Sequence, residues 1–133
     1  MKTIKEIYDT KSIDDKGDLI GLQKWYNSVI EKTPEELDLK DVSIMLRQRF
    51  FVEIAVEKAI GYLKANPFIG EMYQGQLMVN LLSLPSEAYA SIKNELGEIA
   101  LKAFELCDLH EDLTEKEKED FLSALTKLKQ EIQ

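Results

Sequence analysis

The residues of this chain that could do chemistry lie in three places. His110, the single histidine, stands in the turn Asp108-Leu109-His110-Glu111-Asp112, and the single cysteine, Cys107, comes just before it. A histidine beside carboxylates is raw material for a general base or a metal ligand. One histidine and one cysteine are too few for zinc. The turn reads instead as solvated, with His110 near a helix C-terminus where positive charge is mildly favoured. Glu105 to Asp120 holds eight acids against two lysines, but it lacks the alternating ligands and central glycine of a calcium loop. It reads as a solvated acidic corner, with an electrostatic docking surface as the sharper alternative.

The second place is Arg47-Gln48-Arg49, the one dense basic patch. A DNA-reading helix would need more cations around it, and the chain carries 25 acids against 17 lysines and arginines, a formal charge of −8. That balance argues against any nucleic-acid partner, because phosphates must be neutralised by cations. The arginines are expected to pair with Glu53 and Asp41. The third place is Tyr73-Gln74-Gly75-Gln76, at a helix N-terminus after a Gly/Pro-punctuated loop. Either it touches a partner, or Tyr73 packs under the loop and Gly75 allows close helix packing. Trp25-Tyr26 and Phe50-Phe51 are adjacent aromatic pairs, so one ring of each is expected in the core and the other is available as an interface anchor.

The elements that position these residues are helical. Leu19, Leu22, Tyr26 and Val29/Ile30 recur at helical spacing and predict a helix over 18–32. Ile4, Ile7 and Tyr8 suit one short amphipathic turn. Thr33-Pro34-Glu35-Glu36 is a helix-start signal, and Asp38 with Asp41 repeats it. Further helices are expected over 51–65, stopped by Asn66-Pro67, from Glu71 or Met72 to Ser83, over 86–107, and over 115–131 behind the Thr114–Glu117 capping box. Period-two alternation is nowhere sustained. The expectation is an all-α single compact bundle of five or six helices, mostly antiparallel neighbours, forming one domain over 133 residues with 1–17 loosely ordered. One cysteine permits no intrachain disulfide, which fits a reducing compartment. With no secretory signal and no apolar run long enough for a membrane span, the protein is expected in the cytoplasm.

The stretch from Asp41 to Pro85 carries a resemblance. Asp41, Ile44, Gln48, Ala59, Leu63, Asn66, Pro67, Tyr73, Gly75, Leu77, Leu81, Leu82 and Pro85 follow a family pattern. A capped helix with a Gln leads to an apolar helix with an Asn-Pro break, then to a Tyr-x-Gly segment and a Leu-Leu pair. In this the chain resembles the immunity proteins of bacterial contact-dependent growth inhibition (CDI) systems. Two positions depart: Gln76 stands where the pattern is usually acidic, and Phe50-Phe51 replaces a glycine expected soon after Gln48. The resemblance implies a cytosolic, non-enzymatic protein without cofactor or metal. It would bind the C-terminal toxin domain of its cognate system, commonly a nuclease, and block its active site in a 1:1 heterodimer. Polar or aromatic character beside helix ends nominates Gln48, Glu53, Glu71, Tyr73 and Gln74 for toxin binding, with Asp14 and Asp15 as outliers. A helical adaptor or oligomerisation module is the alternative that the same helices and charge allow.

Overall fold

The computed structural model describes residues 2–14, 17–72, 74–107 and 113–132. The described residues form seven α-helices and two 3-10 segments, with no strand, so the chain is all-α with a helix or two more than expected. They fall into two compact units, Met1–Asp41 and Val42–Gln133.

In the first unit, helix α1 (Ile4–Ile7) opens with a capping box between Thr3 and Glu6. Its first amides do more than cap. Ile4 N–H donates to the carbonyl of Lys32 at 2.9 Å, and Lys5 N–H to that of Ile30 at 2.9 Å. Unpaired amides at the start of α1 therefore satisfy carbonyls left over beyond α2 (Gly21–Val29). α2 is shorter than the expected 18–32, because Ile20 is extended and Gln23 accepts its N–H. Asn27 exchanges two bonds with the backbone of Ile13, at 2.7 and 2.9 Å, and Thr10 bonds Tyr26 at 2.6 Å. Thr33-Pro34-Glu35-Glu36 makes a single 3-10 turn, since Leu37 is extended.

Helix α3 (Leu39–Gln48) starts at the Asp38–Asp41 box, and the unit boundary falls within it. In the second unit, Arg49 is left-handed (φ 58°) and Phe50 N–H donates back to Met45 O at 2.9 Å, which closes α3 as a Schellman-type end. α4 (Val52–Ala65) follows directly, and α5 (Gln76–Leu82), α6 (Lys93–Cys107) and α7 (Glu115–Ile132) complete the unit. The buried faces include Ala55, Val56, Ala59, Ile60 and Leu63 of α4, Leu77, Met78, Leu81 and Leu82 of α5, and Phe121, Leu125 and Leu128 of α7.

Two expected boundaries move. α5 begins at Gln76 rather than at Glu71 or Met72, because Gly75 is left-handed (φ 84°) and its N–H bonds Phe68 O at 2.6 Å, closing the loop first. The helix expected over 86–107 is a 3-10 segment, Ser86–Ile92, before α6. Tyr89 breaks it: its backbone is non-helical (φ −119°, ψ 18°) while its ring is fully buried. Among the described residues the longest helix is α7.

Gly75 is closely packed. A Cβ there would stand 2.7 Å from Phe121 Cδ2, and that ring is itself buried and stacked 5.0 Å from Phe68. Gly75→Ala is expected to lower the unfolding free energy by about 2 kcal/mol or more, from left-handed strain and overpacking together. Gly61 lies exposed inside α4 with open space around it. Gly61→Ala is expected to raise stability by about 0.5–1 kcal/mol. Urea unfolding of the two variants tests both signs at once.

Candidate functional site

Asp41 is the best-connected side chain of the first unit. Only 5% exposed, its carboxylate accepts from Trp25 Nε1 at 3.0 Å, from Lys32 Nζ at 2.7 Å and from the Asp38 amide at 3.3 Å. It also forms the chain's expected capping box. The anticipated arginine partner is thus replaced by Lys32. Asp41 and Arg47 are six residues apart on one helix and do not share a face. Arg47 instead reaches back to Ser43 O at 3.4 Å. Burial pushes the Asp41 carboxyl up, but the Lys32, Trp25 and Asp38 hydrogen bonds outweigh it and hold it below the ordinary carboxylate range. The bond to Asp41 in turn raises the Lys32 ammonium above its usual range, against desolvation.

In the second unit two irregular segments bracket α4. Before it, Arg49 (φ 58°) and Phe51 (φ 51°) are both left-handed, with Phe50 between them. Each such non-glycine residue costs roughly 1–2 kcal/mol. The Phe50 and Phe51 rings are half-buried, their centroids 6.1 Å apart. After α4, Asn66 is extended before Pro67 and its side chain accepts from Phe68 N–H at 3.0 Å. Gln76, buried, accepts the Met72 N–H at 2.8 Å through Oε1. This position needs an acceptor oxygen, which an amide supplies without burying a charge.

The expected docking residues divide between these segments. Gln48 ends α3 and Glu53 lies in the first turn of α4, both exposed. Glu71, exposed, and Gln74, half-buried, lie on the loop after α4, whose fourteen residues span about 21 Å. A partner touching both pairs must therefore cover the length of α4. Asp14 is exposed in the first unit. Tyr73 and Asp15 lie outside the described residues, as do His110, its neighbours from Asp108 to Asp112 and the side chain of Cys107. Among the described residues, no cluster of three or more His, Cys, Asp or Glu is placed to hold a metal ion. None of their helices is long and apolar enough to cross a membrane.

A further feature escaped the sequence. Leu101 and Phe104 of α6 are 63% and 52% exposed. They edge a groove of about 370 Å³ against Leu125 and Leu128 of α7, with Lys93, Glu98 and Lys129 also lining it. Along this stretch Tyr89, Leu96, Ala100 and Ala103 form a buried stripe. Leu101 and Phe104 each fall one residue past that stripe, which is the signal that could have marked them.

The described residues form an all-helical frame in a chain of net charge −8. Residues 6–99 match the family of CDI immunity proteins, and the chain belongs to that family. The match runs from α1 into α6 and takes in both segments that bracket α4. No curated protein matches the chain.

The Asp41–Lys32 pair carries a pH dependence. A depressed carboxyl contributes stability that is complete above its unfolded value, about 3.9, and lost as pH falls through its lower folded value. A raised ammonium contributes below its unfolded value, about 10.4, and loses the contribution as pH rises through its higher folded value. The pair therefore stabilises between about pH 4 and pH 10. Asp41→Asn is expected to cost roughly 2–4 kcal/mol at pH 7, and the gap from the parent protein is expected to narrow as pH falls below about 4. Unfolding followed by the fluorescence of Trp25, the single tryptophan, measures both.

Proposed function

We propose that this protein neutralises the C-terminal toxin domain of its CDI system by binding it one-to-one and covering its active site, and that the toxin is a nuclease. The observation that carries this reading is the family match over 6–99 in a chain of net charge −8. A nuclease must hold phosphates and is accordingly basic. An acidic protein is drawn to that cleft at long range and competes with the nucleic acid for it. Inhibition is by occupancy and not by catalysis, with no cofactor or metal, and it takes place in the cytoplasm where the toxin acts. Gln48, Glu53, Glu71, Tyr73 and Gln74 are the proposed contacts, with Asp14 and Asp15 outlying. A standard interface buries about 800 Å² on each partner, enough to reach from one end of α4 to the other.

The test uses the C-terminal domain of the exoprotein encoded beside this chain's gene. The association rate is expected to fall about tenfold or more between low and high salt, and the nuclease is expected to lose substrate binding in the complex. A salt-insensitive association rate removes the electrostatic part. A ternary complex of toxin, substrate and this protein removes active-site occlusion.

The exposed apolar face at Leu101 and Phe104, beyond residue 99, favours a second reading as a helical adaptor or oligomerisation module. Light scattering separates the two. A monomer that becomes a 1:1 complex on adding toxin supports the first reading, and a homodimer indifferent to toxin supports the second.

A further inference from the structure

The turn between α3 and α4 holds two non-glycine residues in left-handed backbone. Arg49 and Phe51 are both left-handed, a conformation that glycine adopts freely and that is an outlier for a bulky residue. α4 gains no side-chain cap from Phe51. The Arg49 backbone serves the Schellman-type end of α3, but any residue supplies that backbone and glycine supplies it best. The Arg49 side chain is exposed, and no carboxylate of the described residues pairs with it.

Arginine use points to the same turn. The chain has fifteen lysines spread along its length and two arginines, Arg47 and Arg49, and both are here. Arginine differs from lysine in offering a planar fork that grips a carboxylate with two parallel bonds, and it is enriched where binding energy concentrates. Strain held at a surface turn is a pointer to function.

We propose that Arg49 is a specificity-determining contact of this immunity protein, held on a left-handed turn so that its guanidinium meets a carboxylate on the toxin domain. The inference rests on the proposed toxin binding. It gives that surface a cationic point which net charge conceals. Fifteen of the seventeen cations are lysines suited to solvation, whereas this one is presented by a short turn between two helices. Its partner is a carboxylate, because the net charge of −8 opposes nucleic acid.

The decisive variant is Arg49→Gly, which suits the backbone better than the native residue and does not fail by misfolding. It also makes the protein one unit more negative, so long-range attraction to a basic toxin strengthens. Any fall in affinity must then come from a lost short-range contact. With the neighbouring gene's toxin domain as probe, Arg49→Gly is expected to weaken binding about tenfold or more, chiefly through faster dissociation. The same variant is expected to unfold at equal or higher urea. Arg49→Lys keeps the charge without the fork and is expected to recover little of the loss. If the native protein binds and Arg49→Gly binds equally well, the proposal is overturned and toxin binding stands. If Arg49→Lys binds like the native protein, the fork is overturned. If the native protein does not bind, both readings fall.

Discussion

The ring of Phe121 sets the arrangement of the larger unit. It lies so close to Gly75 that no side chain fits between them, and it stacks on Phe68. One ring thereby fixes α7 against both ends of the loop that leads into α5. Six residues further along α7, Lys127 Nζ donates to Leu82 O at 2.6 Å and Leu84 O at 3.1 Å, at the far end of α5. Six residues advance a helix by about 9 Å, nearly the length of a seven-residue helix. α7 thus supplies a ring at one end of α5 and a cation for the carbonyls at the other. A helix as short as α5 is unstable alone in water, and it packs against both α4 and α7. The family match ends before α7 begins, yet the glycine inside the matched stretch is explained by a side chain beyond it.

What could be read from the sequence was local. Thr114 and Glu117 do exchange capping bonds at 3.0 and 3.1 Å, Asp38 and Asp41 do the same, and Asn66-Pro67 does stop a helix. These signals work because the partners are three residues apart and the chemistry is complete within one turn. The misread features depend on residues far away. The start of α5 is set by a glycine that faces a ring 46 positions later, and the break at Tyr89 belongs to a fully buried side chain. The same limit applies to the site. Asp41 was legible as a cap, but its bond to Trp25 spans sixteen residues and leaves no periodic trace. Left-handed backbone at Arg49 and Phe51 was illegible for another reason: neither residue type announces it.

The acidic residues divide into two kinds. Glu6 and Glu36 each accept backbone and hydroxyl bonds from a threonine three residues earlier, and the backbone bond is the main cause of their lowered carboxyl values. Asp41 and Glu117 are likewise occupied with amides. Asp41 has both oxygens engaged, whereas Glu6, Glu36 and Glu117 each use Oε1 for the helix start. Acidity that serves the helix starts therefore contributes to long-range attraction as well.

Attraction and discrimination are separate problems. A net charge of −8 draws any basic protein, so it speeds encounter but does not distinguish one toxin from another. Discrimination is a difference between affinities and depends on groups whose position a wrong partner does not satisfy. Flexible surface lysines and glutamates adjust to many partners. A guanidinium is satisfied best by a partner that offers its planar fork two acceptors, which fewer surfaces supply. If it is left unpaired in an interface it must be desolvated without compensation, which penalises a mismatched partner more than a mobile lysine would. On the proposed binding, the left-handed backbone at Arg49 is stability given up to place that fork at the surface.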